Sequence, residues 1–231
     1  ITVDGNLVCD LSAPLPEAVW LRKVDGEWQT TDPPTASADK RPRRYGSFKD
    51  GFRHQKLFVY GTTGQDEENA WALQKAKLDA ESFYYRGNGS IEVIPDSQFS
   101  LDAYPDRSVI LYGSASSNSA WDLLLADSPV QLRRNELTIG DRTVERDDVG
   151  LYMVRPRLDS EVASVAVVGG TGRTGRAAAM PNRYFVSGTG YPDLMVFTPE
   201  LYSKGQVGVV VAGYFGNDWG VATGDLVWSG D

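Results

Sequence analysis

The sequence predicts an α/β protein with a Rossmann-like three-layer sandwich: a mostly parallel sheet, an antiparallel flap and a small N-terminal β element. Three observations predict this fold class. From Lys56 onward, short apolar runs alternate with helical segments, which is the pattern of a parallel sheet with crossover helices. After Pro129, polar and apolar residues alternate, as in antiparallel strands with one solvated face. Near the N-terminus, short alternating runs flank Asp-Gly pairs, which are typical of hairpin turns.

Composition limits the classes of protein to consider. The chain has 231 residues, 41% of them apolar, which is enough to build a core. A formal net charge of −8 disfavours a nucleic-acid partner, because phosphate binding requires a clustered basic surface. No apolar run is long enough to cross a membrane, so no membrane partner is expected. The chain does not begin with Met, which indicates a processed chain or a fragment.

Residues 1–44 are predicted to form the small β element and a Pro-rich connector. Asp4-Gly5 and Asp25-Gly26 each separate two short alternating runs, so a hairpin is expected at each pair. The connector that follows is rich in Pro, Thr, Ser and charged residues and has no apolar period. Its basic residues are expected to be solvated rather than to form an anion site: Lys40, Arg41, Arg43 and Arg44.

Residues 45–231 are predicted to form the α/β domain. The segment 66–87 has helical length, acidic residues in its first turn and a terminal glycine. Its sheet-facing stripe is predicted to be Ala70, Leu73, Ala76, Ala80 and Phe83. The segment 130–148 is predicted to be the antiparallel flap. The remaining strands are predicted at 56–60, 90–95, 107–113, 149–156, 162–170, 193–197 and 207–215.

A glycine-rich turn follows the predicted strand that ends near Val168. Gly170, Gly172 and Gly175 have the G-x-G-x-x-G spacing of a dinucleotide fingerprint, in which backbone N–H groups hold a pyrophosphate. One alternative is therefore an NAD(P)-binding oxidoreductase that uses this turn. Pro181 stops the following helix after about two turns, whereas the fingerprint opens a long helix. The sequence therefore favours a structural turn and predicts no cofactor.

The sequence assigns no catalytic residue. It contains no Gly-x-Ser-x-Gly nucleophile motif, and its single histidine, His54, precedes the first sheet strand. That position lies at the amino end of the strand, away from the carboxyl ends where α/β proteins bind ligands. One histidine and one cysteine cannot form a zinc site, so no metal is predicted. Four carboxylates are candidates for glycoside chemistry, although their spacing does not favour it: Asp96, Asp102, Glu145 and Asp193.

Loops at the carboxyl ends of the predicted strands supply the candidate ligand-binding residues. They are Thr62, Thr63, Asn69, Ser114, Asn118, Thr171 and Arg173. Aromatic residues lie near the ends of many predicted elements, where a ring can pack and still offer a polar tip. A second alternative is therefore a carbohydrate-binding module with an aromatic platform, drawn from Trp71, Phe83, Tyr84, Tyr85, Tyr112, Trp121, Tyr184, Tyr191, Tyr214, Phe215 and Trp219.

Three long segments resemble a known group of proteins. The stretches at 58–99, 104–121 and 184–197 resemble an α/β module carried by secreted bacterial prolyl-oligopeptidase-like and esterase-like α/β-hydrolase proteins. The resemblance extends from about Arg44 to Phe197. It implies export, to the periplasm or outside the cell. It also implies that the serine nucleophile belongs to another segment of the polypeptide, because no catalytic residue of that group has a matching position here.

These observations together predict a noncatalytic accessory domain of a larger secreted serine hydrolase, peptidase-like or esterase-like. Its expected partner is the catalytic domain of the same parent protein. The carboxyl-end loops would pack on that domain or position a peptide or carbohydrate substrate.

Overall fold

A computed structural model describes residues 1–13, 16–31 and 39–230. The chain divides into two compact units, Ile1–Ser37 and Ala38–Asp231. Among the described residues, no helix combines the length and the apolar character that a membrane span requires.

The smaller unit contains two antiparallel hairpins. The first pairs β1 (Thr2–Val3) with β2 (Asn6–Leu7), and the second pairs β3 (Trp20–Val24) with β4 (Glu27–Thr31). Both turns form at the Asp-Gly pairs expected from sequence, and all four turn residues have positive φ angles between 50° and 86°. Such angles define the type I′ turn, whose twist matches that of the paired strands. Local sequence therefore determines this unit's hairpins.

The larger unit contains eleven strands and four α-helices within its described residues. In chain order they are β5 (Lys56–Tyr60), α1 (Asp66–Gly87), β6 (Glu92–Pro95), β7 (Ser108–Tyr112), α2 (Ala120–Leu125), β8 (Val130–Arg133), β9 (Glu136–Ile139), β10 (Arg142–Glu145), β11 (Gly150–Pro156), β12 (Ser164–Gly170), α3 (Arg173–Ala178), β13 (Leu194–Phe197), α4 (Glu200–Lys204), β14 (Val209–Tyr214) and β15 (Asp225–Trp228). Single 3-10 turns lie at Phe48–Phe52, Asp96–Gln98, Arg183–Phe185 and Gly205–Gly208.

Eight strands form one mixed sheet in the order β15-β14-β13-β11-β12-β7-β5-β6. The three pairings among β12, β7, β5 and β6 are parallel. The four pairings from β15 to β12 are antiparallel. The α/β class is therefore confirmed, whereas the expectation of a mostly parallel sheet is wrong.

The short connections explain why half of the sheet is antiparallel. Only residues 157–163 join β11 to β12, and a parallel crossover requires a dozen or more residues. Residues 198–208 and 215–224 join β13 to β14 and β14 to β15, and both connections are also shorter than a dozen residues. Residues 171–193 instead return the chain along the sheet, so that β13 runs parallel to β12 on the far side of β11. The apolar runs predicted these strands correctly, but an apolar run does not encode the direction of its strand.

Different elements cover the two faces of the sheet. One core contains Phe58, Ile110 and Ala166 together with residues of α1, α3 and the 3-10 turns. The other contains Leu57, Leu111 and Val167 together with residues of α2 and the strands β8, β9 and β10. Neighbouring strand residues alternate between the two cores because successive side chains point to opposite faces.

The predicted antiparallel flap is confirmed. The strands β8, β9 and β10 form a three-stranded antiparallel sheet within 130–148. Val130 and Leu132 pair with Ile139 and Leu137, and all four side chains are fully buried against the large sheet. The alternation in the sequence therefore corresponds to a layer with one buried and one solvated face.

The expectation that the basic connector is solvated is wrong for two of its four residues. Arg44 is fully buried, and its Nη1 donates to three main-chain carbonyls, those of Arg157, Ser160 and Ala163, at 2.7–3.0 Å. Lys40 Nζ lies 2.6 Å from the buried carboxylate of Asp193. These partners keep the buried cations hydrogen-bonded, without which burial would be costly. The sequence shows that these residues are basic, but it does not show which main-chain carbonyls and carboxylates lie within hydrogen-bonding distance of them.

Candidate functional site

The candidate site lies where the parallel strands β5, β6, β7 and β12 end. Their carboxyl ends meet at one edge of the sheet because the strands run in the same direction. Ligands of α/β proteins bind at this edge. The loops there carry all seven of the ligand-binding residues predicted from sequence, as well as the glycine-rich turn.

Thr62 is held by an acidic residue from the neighbouring strand end. Its hydroxyl donates to the Asp96 carboxylate at 2.5 Å, and the same carboxylate accepts the main-chain N–H groups of Ser97 and Ser119. Asp96 is almost fully buried. This carboxylate therefore ties together the loops after β5, β6 and β7, and the Thr62 hydroxyl is engaged within the protein.

The loops after β5 and β7 are joined directly. The Thr63 N–H donates to the Ser117 carbonyl at 3.2 Å. The side-chain amide of Asn118 donates to the carbonyls of Val59 and Tyr112, each at 3.1 Å. These bonds join the loops between β5 and β7, where the chain order of the parallel strands reverses. Open α/β sheets commonly bind ligands at such a position.

Asn69 and Ser114 also have internal partners. The Asn69 amide donates to the carbonyls of Thr62 and Gly64 and accepts the Gly64 N–H, all within 3.1 Å. Ser114 is buried and lies 3.3 Å from the hydroxyl of Ser117. The structure therefore brings the residues predicted around β5 and β7 together, and most of their polar groups bond to other groups of the same loops and strands.

Thr171 and Arg173 differ sharply in exposure. Thr171 is fully buried, and its main-chain N–H donates to the Val149 carbonyl at 3.0 Å. Its own carbonyl accepts the N–H of Asn135 from the β8–β9 turn. Arg173 is exposed, and its side chain has no hydrogen-bonding partner among the described residues. Of the seven predicted residues, only Arg173 presents a free charge to solvent.

The glycine-rich turn packs tightly against the chain that enters β11. A Cβ atom at Gly172 would clash with the Asp147 carbonyl, and one at Gly175 would clash with the Val149 carbonyl. A Cβ atom at Gly170 would lie 2.5 Å from the Arg176 nitrogen. Close backbone approach therefore explains all three glycines. The α3 helix that follows is six residues long.

A carboxylate that was not predicted from sequence organises this edge. Glu68, only 4% exposed, accepts two hydrogen bonds from Arg134 at 3.1 and 2.6 Å and one from Arg176 at 3.3 Å. It also closes a capping box with Gln65 at the start of α1. Burial opposes ionisation, but the bonds from Arg134 and the Gln65 N–H outweigh it and hold the Glu68 pKa below its ordinary value.

Two open depressions lie beside Glu68. One of about 380 Å³ lies between α1 and α3 and is lined by Glu67, Ala70, Trp71, Gln74, Arg173, Arg176 and Ala177. The other, of about 540 Å³, is lined by charged and amide side chains of the flap and of the segment before β11: Arg134, Asn135, Glu136, Glu145, Arg146 and Asp147. Residues that are distant in sequence line both, so spacing along the chain could not reveal them.

A second ionic cluster is sealed beneath α1. Lys75 and Asp79 are both fully buried and lie 2.7 Å apart. Tyr184 donates to the Asp79 carboxylate and accepts from Lys75, and Tyr112 donates to Asp79 at 3.0 Å. Burial lowers the pKa of Lys75, although Asp79 opposes that shift, and burial raises the pKa of both tyrosines well above 10.

The buried cluster corrects the predicted sheet-facing stripe of α1. After the first turn, the buried residues of α1 are Ala72, Lys75, Ala76 and Asp79. Of the predicted stripe, only Ala76 is buried; Leu73, Ala80 and Phe83 are half-buried, and Ala70 is exposed. The helix is rotated relative to the prediction because two charged residues lie on the buried face. A hydrophobic pattern cannot anticipate this, since it assigns charged residues to the solvent side.

His54 and Asp193 lie apart from this edge. His54 lies beside the start of β5, with Nε2 3.2 Å from the Arg43 carbonyl. Asp193 precedes β13 at the opposite edge from Asp96 and accepts from Lys40 and from the N–H of Phe215. Asp96 and Asp193 therefore cannot act as a carboxylate pair. Among the described residues, no cluster of three or more His, Cys, Asp or Glu side chains is arranged to hold a metal ion.

The aromatic residues proposed as a carbohydrate platform do not form one surface. Tyr112, Trp121, Tyr184, Phe215 and Trp219 are buried in the two cores. Tyr84, Tyr85 and Tyr214 are more than half exposed. Trp71 is half-buried and lines a depression at the carboxyl edge.

Comparison with models of protein families finds no match for this chain, and comparison with curated proteins finds no significant match. The resemblance to the hydrolase-associated module therefore stays a prediction.

Proposed function

We propose that the chain is a noncatalytic accessory domain of a larger secreted serine hydrolase, peptidase-like or esterase-like. It packs on a catalytic domain outside this chain or positions a peptide or carbohydrate substrate for it. One observation carries the proposal: most of the polar groups predicted as a ligand site at the carboxyl edge bond within the protein, to Asp96 and to main-chain carbonyls. A catalytic loop needs a nucleophile and a base aimed at a substrate, whereas these groups hold the loops of β5, β6 and β7 together.

The position of His54 supports the same conclusion. Serine hydrolases need a base within hydrogen-bond reach of the nucleophile. Ser114 and Ser117 lie at the carboxyl edge, whereas His54 lies at the start of β5, at the other end of that strand. The chain has no second histidine. A complete Ser-His site therefore requires residues from elsewhere, as the resemblance implies.

The topology of the parallel half supports a relationship to Rossmann-like folds. The order β6-β5-β7-β12 places the first parallel strand beside the second and third, as in doubly wound sheets of the flavodoxin type. We propose that this half is a Rossmann-like core to which antiparallel strands have been added. Residence in the periplasm or outside the cell is part of the same proposal and rests on the resemblance.

The test is a hydrolysis assay on the purified chain with a panel of acyl esters and short peptides. No turnover above the buffer control is expected, and the Ser114→Ala and Ser117→Ala variants should match the wild type. Turnover that disappears in either variant, or in His54→Ala, would show that the chain carries its own active site and would overturn the proposal.

The oxidoreductase alternative rests on the spacing of Gly170, Gly172 and Gly175. Thermal unfolding with NAD or NADP discriminates it, because a ligand at 100 times its dissociation constant stabilises the fold by roughly 2.7 kcal/mol. We expect no shift in the unfolding temperature, since the chain's own backbone occupies the space around these glycines. A concentration-dependent rise would instead support a nucleotide site.

A further inference from the structure

The depression between α1 and α3 has the composition of a ligand site. Its walls come from the first half of α1 and from α3, and its volume is about 380 Å³. Small-molecule sites are typically several hundred cubic ångströms in volume and combine an apolar wall with a few converging polar groups. The α1–α3 cleft, as we call it, has both, and of its polar side chains only Arg176 makes a hydrogen bond to another described side chain.

Two arginines with free donors border the cleft. Arg173 is exposed and has no hydrogen-bonding partner among the described residues. Arg176 is 91% buried, and its one hydrogen bond to a described residue is the Nη1 contact with Glu68 at 3.3 Å. A guanidinium has five N–H donors in a fork that matches a carboxylate. The pair therefore retains donor capacity for an anionic group.

The opposite wall is aromatic and carries unused polar groups. Trp71 is half-buried, and its indole Nε1 is buried with no acceptor among the described residues. A buried donor without an acceptor costs about 1–3 kcal/mol. Gln74 and Glu67 also line the cleft, and neither side chain makes a hydrogen bond to a described residue. The wall thus offers a ring, an amide and a carboxylate side by side.

Each lining group restricts the ligand. A simple carboxylate would engage the arginines but would use neither Trp71 nor Gln74. A neutral sugar would use Trp71, Gln74 and Glu67, and its hydroxyls could accept from the arginines, but it would offer them no opposite charge. A hydroxylated ring that bears one carboxylate uses all of them: the ring packs on Trp71, its hydroxyls bond to Gln74 and Glu67, and its carboxylate meets the guanidinium groups.

We propose that the α1–α3 cleft binds a sugar acid of the hexuronate class. Trp71 provides the packing surface, Gln74 and Glu67 bind ring hydroxyls, and Arg173 with Arg176 binds the carboxylate. This inference assigns the carbohydrate-binding alternative to the α1–α3 cleft and to a sugar that carries a negative charge. It does not depend on the accessory role, because binding is measured without any hydrolase.

The test uses nitrogen-15-labelled protein titrated with D-glucuronate at fixed ionic strength. The indole N–H resonance of Trp71 is assigned from the spectrum of Trp71→Phe and followed directly. We expect the Trp71 resonance to shift and to saturate as glucuronate is added. With D-glucose the shift should be at least about threefold smaller, and acetate should cause none. Neither control ligand offers both a ring for Trp71 and an opposite charge for the arginines.

Matched variants test the role of the arginines. Arg173→Gln should weaken glucuronate binding by about threefold or more, because it removes a charge-assisted bond. Arg133→Gln is the control: Arg133 is also exposed, lies on β8 and does not line the cleft. Equal loss in both variants would indicate nonspecific charge attraction and would overturn the proposal. So would equal affinity for glucose and glucuronate, or no movement of the Trp71 resonance. The hydrolysis assay on the same protein reports separately on the accessory role.

Discussion

Two ionic clusters on the α1 helix differ in their exposure to solvent. The Glu68 cluster joins one almost buried carboxylate to Arg134, whose side chain is 38% exposed, and to Arg176, at 11%. The Lys75 cluster joins Lys75 and Asp79, both with fully buried side chains, to two buried tyrosines. One helix therefore carries an ionic group at the open edge and another inside the core.

The difference separates a role in binding from a role in folding. Every member of the Lys75 cluster bonds to another member, and these residues come from α1, β7 and the Arg183–Phe185 turn. That cluster fixes the packing of the helix on the sheet. The Glu68 cluster instead positions Arg176 beside a cleft, with donors left over. Breaking the sealed cluster should therefore lower the free energy of unfolding, whereas changing the open edge should alter ligand binding.

The largest effect is expected for Asp79→Asn. This change keeps the shape of the side chain but leaves the Lys75 cation buried without its counter-charge, which costs about 3–5 kcal/mol. Urea unfolding at pH 7 would measure it. Adding Lys75→Met to Asp79→Asn should recover much of the loss, because an apolar side chain needs no partner there. A loss below about 1 kcal/mol for the single variant would show that the cluster is not important for stability.

Glu68→Gln is expected to lower the free energy of unfolding by about 1–2 kcal/mol, because hydrogen bonds to charged groups contribute moderately. The loss is smaller than for Asp79→Asn because two partners of Glu68 keep contact with water. Glu67→Gln is the matched control on the adjacent residue. Glu67 is exposed and makes no hydrogen bond to a described residue, so its variant should stay within about 0.5 kcal/mol of the wild type. If both variants lose equally, Glu68 has no special role at this edge.

The pH dependence of stability gives an independent measure of Glu68. Its pKa is lowered in the folded protein, so the folded state binds fewer protons than the unfolded state near that pKa. The stabilising contribution is complete above the unfolded pKa of about 4.3 and disappears as the pH falls through the folded value. Urea unfolding between pH 6 and pH 3 should show a steeper loss for the wild type than for Glu68→Gln. Parallel curves would contradict this assignment.

The smallest effect on stability is expected for Arg173→Gln. Its side chain is exposed and has no partner among the described residues, so the free energy of unfolding should change by less than about 0.5 kcal/mol. The same variant is expected to weaken glucuronate binding. A loss of binding without a loss of stability would distinguish a residue of the cleft from a residue of the core. A decrease in the free energy of unfolding of more than about 1 kcal/mol would mean that Arg173 supports the fold.

Local sequence signals predicted most of the elements. The helix at 66–87 and the strand at 56–60 have the predicted bounds, and the other predicted strands begin and end within two residues of the observed ones. These segments have strong local patterns, with caps, turn residues and apolar periods. The strand β15 was not predicted, because "DLVW" is short and follows a glycine-rich loop.

The seven residues predicted as a ligand site lie at one edge of the sheet, at the carboxyl ends of the parallel strands. Strand-to-loop transitions located Thr62, Asn69, Asn118 and Arg173, since carboxyl ends of parallel strands meet in space. Sequence could not show that most of these residues form hydrogen bonds within the protein. It also could not identify Glu68 or Trp71 as groups of the site, because their roles depend on α3 and the flap, which are distant along the chain.

The sequence by itself determined the α/β class, the hairpin turns at Asp4-Gly5 and Asp25-Gly26, and the positions of the strongly patterned elements. Each depends on interactions between residues close in the chain, which short-range patterns record. Only the tertiary structure decided the strand directions, the buried face of α1 and the positions of Glu68, Lys75 and Arg44. Burying a charged residue is favourable only when partners from other elements surround it, and the fold alone brings those partners together.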